Sequence, residues 1–553
     1  MKYAIGIDYG TQSARAELLN ITTKKVEAIV EEFYPHGVMS EALPSGVLLG
    51  KDWAIQDGED YYTMAIACVV GLLEQAKIDP ADVIGIGIDT TACTMIPLGP
   101  DLEPISSNPK FKDNPNAHVK LWKHHAAQKH ANSLNRIAKE RGEAFLECYG
   151  GKISSEWTIP KIMQVAEEAP EIYKEVSSFA DIADWLVYKL TGNLYKNNVT
   201  TGYKTIWSET SGFPSKEFFK ALNPLMEHVV EEKLSEKILR IGQCAGHVTP
   251  DFSALTGLTQ KTAVAVPHTD AGVVPITLGM GKTGQMVVSI GTSTCHFLLS
   301  DILKHVPGIC GVIKDGAVPG YYAYEAGQTA VGDSFSWFIE NFVSEELQRE
   351  AKNQGVSLFR LLGQKAALLS PGESGLVALD WFNGNRSILV NSDLSSVIVG
   401  LTIHTRIEEV YRAILESTAF GTRKIIENFR EHGIEVTELH ACGGIPKKDA
   451  FMMQMYADVC DIEVSVSDEP LAASYGSAML GAVAAGEAAG GFKDVHAAQD
   501  ALSLRESNAF TPNPRNVAAY DELYKIYSKL HDEFSTDNSV LYTLKSLRDT
   551  AKA

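Results

Sequence analysis

Ile5-Gly6-Ile7-Asp8-Tyr9-Gly10-Thr11-Gln12-Ser13 is an apolar run that stops at an aspartate and a glycine turn, after which a second apolar run reaches Leu18 and Leu19. Val287-Val288-Ser289-Ile290-Gly291-Thr292-Ser293-Thr294 repeats this grammar and runs on to Leu298 and Leu299. Both stretches read as strand, Gly-Thr turn with a hydroxyl residue, strand. A unit that returns about half a chain later suggests duplicated halves, each opening with a hairpin. The division then falls near Leu278 to Gly284, which gives two domains, residues 1–280 and 281–553.

A tight Gly-Thr turn exposes backbone N–H groups and hydroxyls together, and the glycine allows close approach, so each turn is a candidate anion site. Two such turns facing each other across a cleft could hold a nucleoside triphosphate, with Gly10, Thr11 and Gln12 in one and Gly291 and Thr292 in the other. Asp8, just before the first turn, is placed to meet Mg²⁺ or its water shell. The plainer alternative is a pair of ordinary hairpin loops. A third glycine element, Ala441-Cys442-Gly443-Gly444-Ile445-Pro446, lies between a strand-like stretch (Glu438 to Ala441) and a helix from about Asp449, a suitable adenosine or phosphate platform. Gly279-Met280-Gly281-Lys282-Thr283 is a decoy, because a Walker-type loop needs a glycine where Ile276 stands.

Outward from these turns the chain alternates β-rich runs with long helical patterns, which indicates α/β. Val83 to Asp89 reads as a buried strand, with Thr94 to Leu98 as its expected partner. Helices are expected over Asp60 to Lys77, Val119 to Arg141 and Arg406 to His432, the last closed by Gly433, with Arg515 to Phe534 as the final one. Ala484 to Gly491 reads as a helix end and loop.

At 553 residues the chain is too long for one ordinary core. Its net charge of -20 argues against nucleic-acid and anionic-membrane partners. The eight cysteines form no C-x-x-C pair, so no disulfide framework or zinc site is suggested. The N-terminus turns polar too early for a signal peptide, and cytosol is the expected location. The N-x-S/T triplets at Asn20, Asn198 and Asn385 are then chance matches.

Asp270, in Val266-Pro267-His268-Thr269-Asp270-Ala271-Gly272, follows an apolar strand and suits a general base acting on a hydroxyl; an N-cap is the alternative. Glu325, between Tyr324 and Ala326, suits hydroxyl binding or, otherwise, a cap or ion pair. Lys204 could meet a substrate oxygen, although such a lysine is more often on the surface. Trp122-Lys123-His124-His125, with His130, looks like a metal cluster, but adjacent histidines on the expected helix would point about 100° apart, so a solvated or partly buried face is the expectation.

These segments resemble the FGGY carbohydrate kinases, relatives of glycerol kinase and xylulokinase. The resemblance covers GIDYGTQSARAELLN, IGIGIDTTACTMIPL, VVSIGTSTCHFLL, and CGGIPKKDAFMMQMYADV with GSAMLGAV, in that order from Tyr3 to about Gly486. Within the family the ribulokinase-like branch is most similar, through Leu121 to His125, Gly150 to Trp157, Glu325-Ala326-Gly327-Gln328, Gly332-Asp333 with Trp337-Phe338, and Leu379 to Gly384. The resemblance implies two ribonuclease H-like, actin-like domains with the active site in the cleft between them. It implies ATP and Mg²⁺ as cofactors and L-ribulose, phosphorylated at C5 in L-arabinose catabolism, as substrate. By position it makes Asp270 the catalytic base, Ala92, Lys204, Asp270 and Glu325 the sugar contacts, and Asp8 the Mg²⁺-proximal aspartate, reached through water. Gly10, Thr11, Gln12, Gly291, Thr292, Gly332, Gly443, Gly444 and Lys448 become the nucleotide contacts, and a homodimer is the candidate assembly. The chain departs from some relatives at His124, where they have aspartate, and at Ala271-Gly272, where they have a histidine. Alternatives are a kinase for D-ribulose, xylulose, ribitol or glycerol, a non-kinase actin-like ATPase, and a sugar sensor.

Overall fold

Gly6, Gly85 and Gly87 decide how the first half of the chain is layered. The structure is a computed structural model that describes residues 1–235, 237–467, 469, 471–504, 508–536 and 539–552. Strands Tyr3–Tyr9 and Val83–Thr90 are parallel neighbours, buried along their whole length. Alternation along a strand puts Ile5, Ile7, Ile86 and Ile88 on one face, where they share a core with Tyr61, Met64, Ala65 and Cys68 of helix Gly58–Ala76. The glycines take the other face. A Cβ on Gly6, Gly85 or Gly87 would overlap the carbonyl oxygen of Ser474, Gly481 or Ser477, so the backbone of helix Ala472–Ala485 lies directly on the sheet. Asp8 and Asp89 share that face by the same alternation.

Two compact units emerge. The first comprises Met1–Gly281, Ile313–Ala323 and Leu471–Leu504, and the second Lys282–Val312, Tyr324–Pro470 and Arg505–Ala553. One cut in the chain therefore does not describe them, since a distant segment supplies a layer of the first unit. Sheet order repeats the internal echo. In the first unit it runs Cys244–His247, Ala263–Ala265, Val83–Thr90, Tyr3–Tyr9, Ser13–Asn20, Lys25–Phe33, with His268–Thr269 also on Val83–Thr90. The second sheet runs Asn508–Phe510, Val464–Val466, Glu438–Cys442, Gln285–Ile290, Thr294–Ser300, Tyr322–Gln328, Gly311–Lys314. Each has an antiparallel hairpin whose first strand pairs in parallel with a later one.

Three sequence expectations need correction. Met95–Leu98 does not pair with Val83–Thr90. It joins Ser178–Asp181 and Val119–Lys120 in a separate sheet, because Cys93, in the left-handed region at φ 62°, turns the chain away. The stretch Val119 to Arg141 is not one helix: Val119–Lys120 is a strand and helix Gln128–Arg141 starts later. Pro514–Phe534 is not the last helix, since Val540–Lys552 follows it. Helix Ile407–Glu431 forms as expected, with Gly433 at φ 76° just beyond its end. No described helix is long and apolar enough to cross a membrane.

Candidate active site

In the first unit, the turn after Tyr3–Tyr9 has its acceptors occupied. Gly10 N–H donates to Ser13 O at 3.0 Å, while the Gly10, Thr11 and Gln12 carbonyls accept from the Tyr34 hydroxyl, Gln56 Nε2 and Tyr34 N–H. Trp122 Nε1 donates to Thr11 Oγ1 at 3.1 Å. A turn whose carbonyls are drawn into the fold is suited to an anion.

Strand register then gathers charge beside the turn. Asp8 is the cross-strand partner of Arg15 on one side and of Asp89 on the other, and Asp89 is in turn the partner of His268. Arg15 Nη2 lies 2.9 Å from Asp8 Oδ2. Burial pushes Asp8 above the usual carboxylate range and Arg15 opposes it. Asp89, wholly buried, is pushed up further, by burial first and then by the Asp8 charge. Ser477 Oγ donates to Asp89 Oδ2 at 2.6 Å, whereas Asp89 Oδ1 has no hydrogen-bond partner among the described residues. Asp8 raises the Arg15 guanidinium most, burial opposes, and Asp89, Glu31 and Asp270 add.

Asp270 follows one residue after the paired strand His268–Thr269 and is the first residue of helix Asp270–Thr277. Its Oδ1 accepts the Ala271 N–H at 2.7 Å, at a helix end where N–H groups favour negative charge. The N-cap is Thr269, so the capping alternative does not describe Asp270. Ala92 lies in the turn Thr91–Thr94, where the two threonine hydroxyls are 3.0 Å apart. Lys204 is buried, not on the surface: it ends helix Asn198–Lys204 with Nζ 5.4 Å from the Trp157 ring centroid and 5.6 Å from that of Tyr203.

The histidines are also corrected. His124 is wholly buried in a turn, not on a helix. Its Nδ1 accepts from Ala54 N–H, which leaves Nε2 to donate to Gln164 Oε1 at 2.8 Å. Burial, with Lys120 and Lys161 nearby, pushes its pKa down to about 2, so it stays neutral. Among the described residues there is no group of three or more His, Cys, Asp or Glu that could hold a metal.

In the second unit, Gly291 N–H donates to Ser293 O, and the Gly291 and Thr292 carbonyls accept from Gly332 N and from Val331 N and Asp333 N. Gly332 opens helix Gly332–Phe342 against this turn. Strand Glu438–Cys442 runs parallel to Gln285–Ile290, with Ser289 opposite Cys442. Gly443 follows at φ 103°, where a Cβ would overlap Ile290 O, while a Cβ on Gly444 would meet open space. The next turn is closed by Lys448 N–H to Ile445 O, and Asp449 caps helix Ala450–Cys460. The fold thus brings Gly291, Thr292, Gly332, Gly443 and Gly444 to one end of the sheet. Glu325 lies partly exposed on strand Tyr322–Gln328, its carbonyl accepting from Cys310 N.

Residues 3–273 match the N-terminal domain of the FGGY family of carbohydrate kinases and residues 286–485 its C-terminal domain. This chain belongs to the FGGY family of carbohydrate kinases. Among curated relatives of this FGGY kinase, the ribulokinase of Geobacillus thermodenitrificans is 49% identical over 555 residues, covering 100% of the chain and 98% of that protein. The ribulokinase of Mycolicibacterium smegmatis is 42% identical, covering 100% and 97%. A xylulose kinase structure from Lactobacillus acidophilus superposes with a TM-score of 0.80 at 18% identity, covering 97% of this chain and 99% of that one. A Plasmodium falciparum glycerol kinase structure with ADP gives 0.73 at 16%, covering 96% and 98%. The two-domain α/β, actin-like fold of the FGGY kinases is therefore the fold of this chain.

Sequence reasoning missed Asp89, Arg15, Ser477 and Trp122 as parts of the site. Asp89 had a visible signal, an acid closing the otherwise apolar run VIGIGID. Ser477 had none, because its partner Asp89 stands on a strand hundreds of residues earlier in the chain.

Proposed function

We propose that this FGGY kinase is an ATP-dependent ribulokinase that converts L-ribulose to L-ribulose 5-phosphate in L-arabinose breakdown. The observation that carries the reading is end-to-end likeness, at 42–49% identity, to curated ribulokinases. Residues 1–280 are assigned the base and most of the sugar contacts, and residues 281–553 most of the nucleotide contacts.

Asp270 takes the proton of the C5 hydroxyl as that oxygen attacks the γ-phosphorus of ATP; the bond from phosphorus to the β-γ bridging oxygen breaks, and ADP leaves. Ala92, Lys204 and Glu325 orient the pentulose. Gly10, Thr11, Gln12, Gly291, Thr292 and Gly332 offer backbone donors to the phosphates, and Gly443, Gly444 and Lys448 hold the adenosine side. Such transfer depends on positioning and on charge stabilisation more than on covalent chemistry. Mg²⁺ fits beside Asp8, where the buried Asp89 Oδ1 has no hydrogen-bond partner among the described residues, and Asp8 would hold the ion through water. When bound, the ion neutralises charge on the phosphoryl oxygens.

The test is ADP release, coupled to a reporter enzyme, with ATP and Mg²⁺ across L-ribulose, D-ribulose, D-xylulose, ribitol and glycerol. The highest kcat/KM on L-ribulose is expected. A higher value on another sugar retires the ribulose assignment, and equal ATP turnover with and without sugar retires the kinase reading.

A further inference from the structure

Lys161 is wholly buried, and a lysine is almost never fully buried without partners for its ammonium. It stands in the first turn of helix Thr158–Glu168, four residues after Trp157, whose ring lies under Lys204. Its Nζ donates to Cys93 O at 2.6 Å and Leu121 O at 2.7 Å, with Lys120 O at 3.5 Å. An ammonium has three N–H donors, and backbone carbonyls take them all. Burial lowers its pKa to about 8, an effect that Glu156 and Asp181 oppose.

The pairing of Met95 with Lys120 brings the two segments side by side, and Lys161 carries the tie beyond that pair, into the turn at Cys93 and on to Leu121. Cys93 occupies the left-handed region at φ 62°, a conformation that L side chains adopt only where the surroundings hold it. It neighbours Ala92 in the turn after Val83–Thr90. Leu121 precedes Trp122, whose indole N–H reaches Thr11 Oγ1. The same helix start carries the aromatic wall of Lys204. We propose that Lys161 is a positioning residue for the pentulose: its ammonium fixes the Ala92–Cys93 turn against the Leu121–Trp122 segment, and so sets the shape of the sugar site. The inference rests on the kinase reading above. The first phosphate turn has independent supports in Gly10 N–H to Ser13 O and Gln56 Nε2 to Thr11 O, so nucleotide binding is expected to be largely spared.

The experiment compares wild type with Lys161→Met, which fills similar space without donors, and Lys161→Gln, which keeps two donors. Steady-state constants are measured for L-ribulose and ATP, with melting temperature alongside. The pentulose KM is expected to rise about 10- to 100-fold in Lys161→Met and less in Lys161→Gln, with the ATP KM moving less than about threefold. An unchanged pentulose KM, equal shifts in both KM values, or loss of folded protein in both variants overturns the positioning role. If wild type is inert on all pentuloses, the pentulose reading fails and the inference fails with it; an active wild type with an indifferent Lys161 sinks the inference alone.

Discussion

Asp270 and Asp181 are both aspartates at helix starts, and their surroundings give them opposite roles. Asp270 is half-buried, with one oxygen tied to the Ala271 N–H and the helix N-terminus behind it. Replacing it by Asn keeps the shape and removes the proposed base. A fall in kcat of about 10²–10⁴-fold is expected, with an unchanged melting temperature, and near-wild-type turnover would refute the assignment. Asp181 is buried and caps helix Ile182–Thr191 through Ala183 N–H at 3.1 Å. Burial, and then the charge of Asp184, push its pKa up to about 8. The folded state thus holds a proton that the unfolded state gives up near pH 4. The stability Asp181 lends is whole below that point and is lost as pH rises through about 8. Asp181→Asn should therefore gain melting temperature over wild type steadily between pH 5 and about pH 8, and level off above. A difference that is flat across that range counts against the buried, protonated carboxyl.

At the scale of elements, the closest packing is helix Ala472–Ala485 on the glycine face of the first sheet. Gly87→Ala places a methyl group on Ser477 O, with backbone on both sides and no flexible side chain to yield. A loss of about 3 kcal/mol or more is expected in chemical denaturation, at the upper end of ordinary overpacking. Gly444→Ala is the control: its Cβ meets open space, so stability should hold while the KM for ATP rises. If the two variants are equally stable, the packing argument fails. The hairpins and long helices were legible because their signals are local: alternation, glycine turns and helical spacing. The Thr94–Leu98 pairing was misread because a single residue in the left-handed region, Cys93, redirects the chain, and nothing in its side chain announces that.

For the whole molecule, the first unit is discontinuous: Leu471–Leu504 belongs with Met1–Gly281 and Ile313–Ala323. A fragment ending at Gly281 lacks the helix that covers Gly6, Gly85 and Gly87, and leaves the sheet face that carries Asp8 and Asp89 exposed. It is expected to aggregate or to lack a cooperative urea transition. The same fragment joined by flexible linkers to residues 313–323 and 471–504 should regain one. If residues 1–281 fold cooperatively alone, the shared layer is not essential to that unit.

By itself the sequence determined the duplicated hairpin plan, the glycine turns and the family, because each is written in contiguous residues. The placing of Asp8, Asp89, Arg15 and Ser477 around one point belongs to the tertiary structure, since parallel register and a returning helix bring together residues that no local pattern connects. The burial of Lys204, Lys161 and His124 was decided there as well. A lysine or histidine carries no mark of the dielectric it will occupy; only the packed fold supplies the carbonyls and rings that make its burial tolerable.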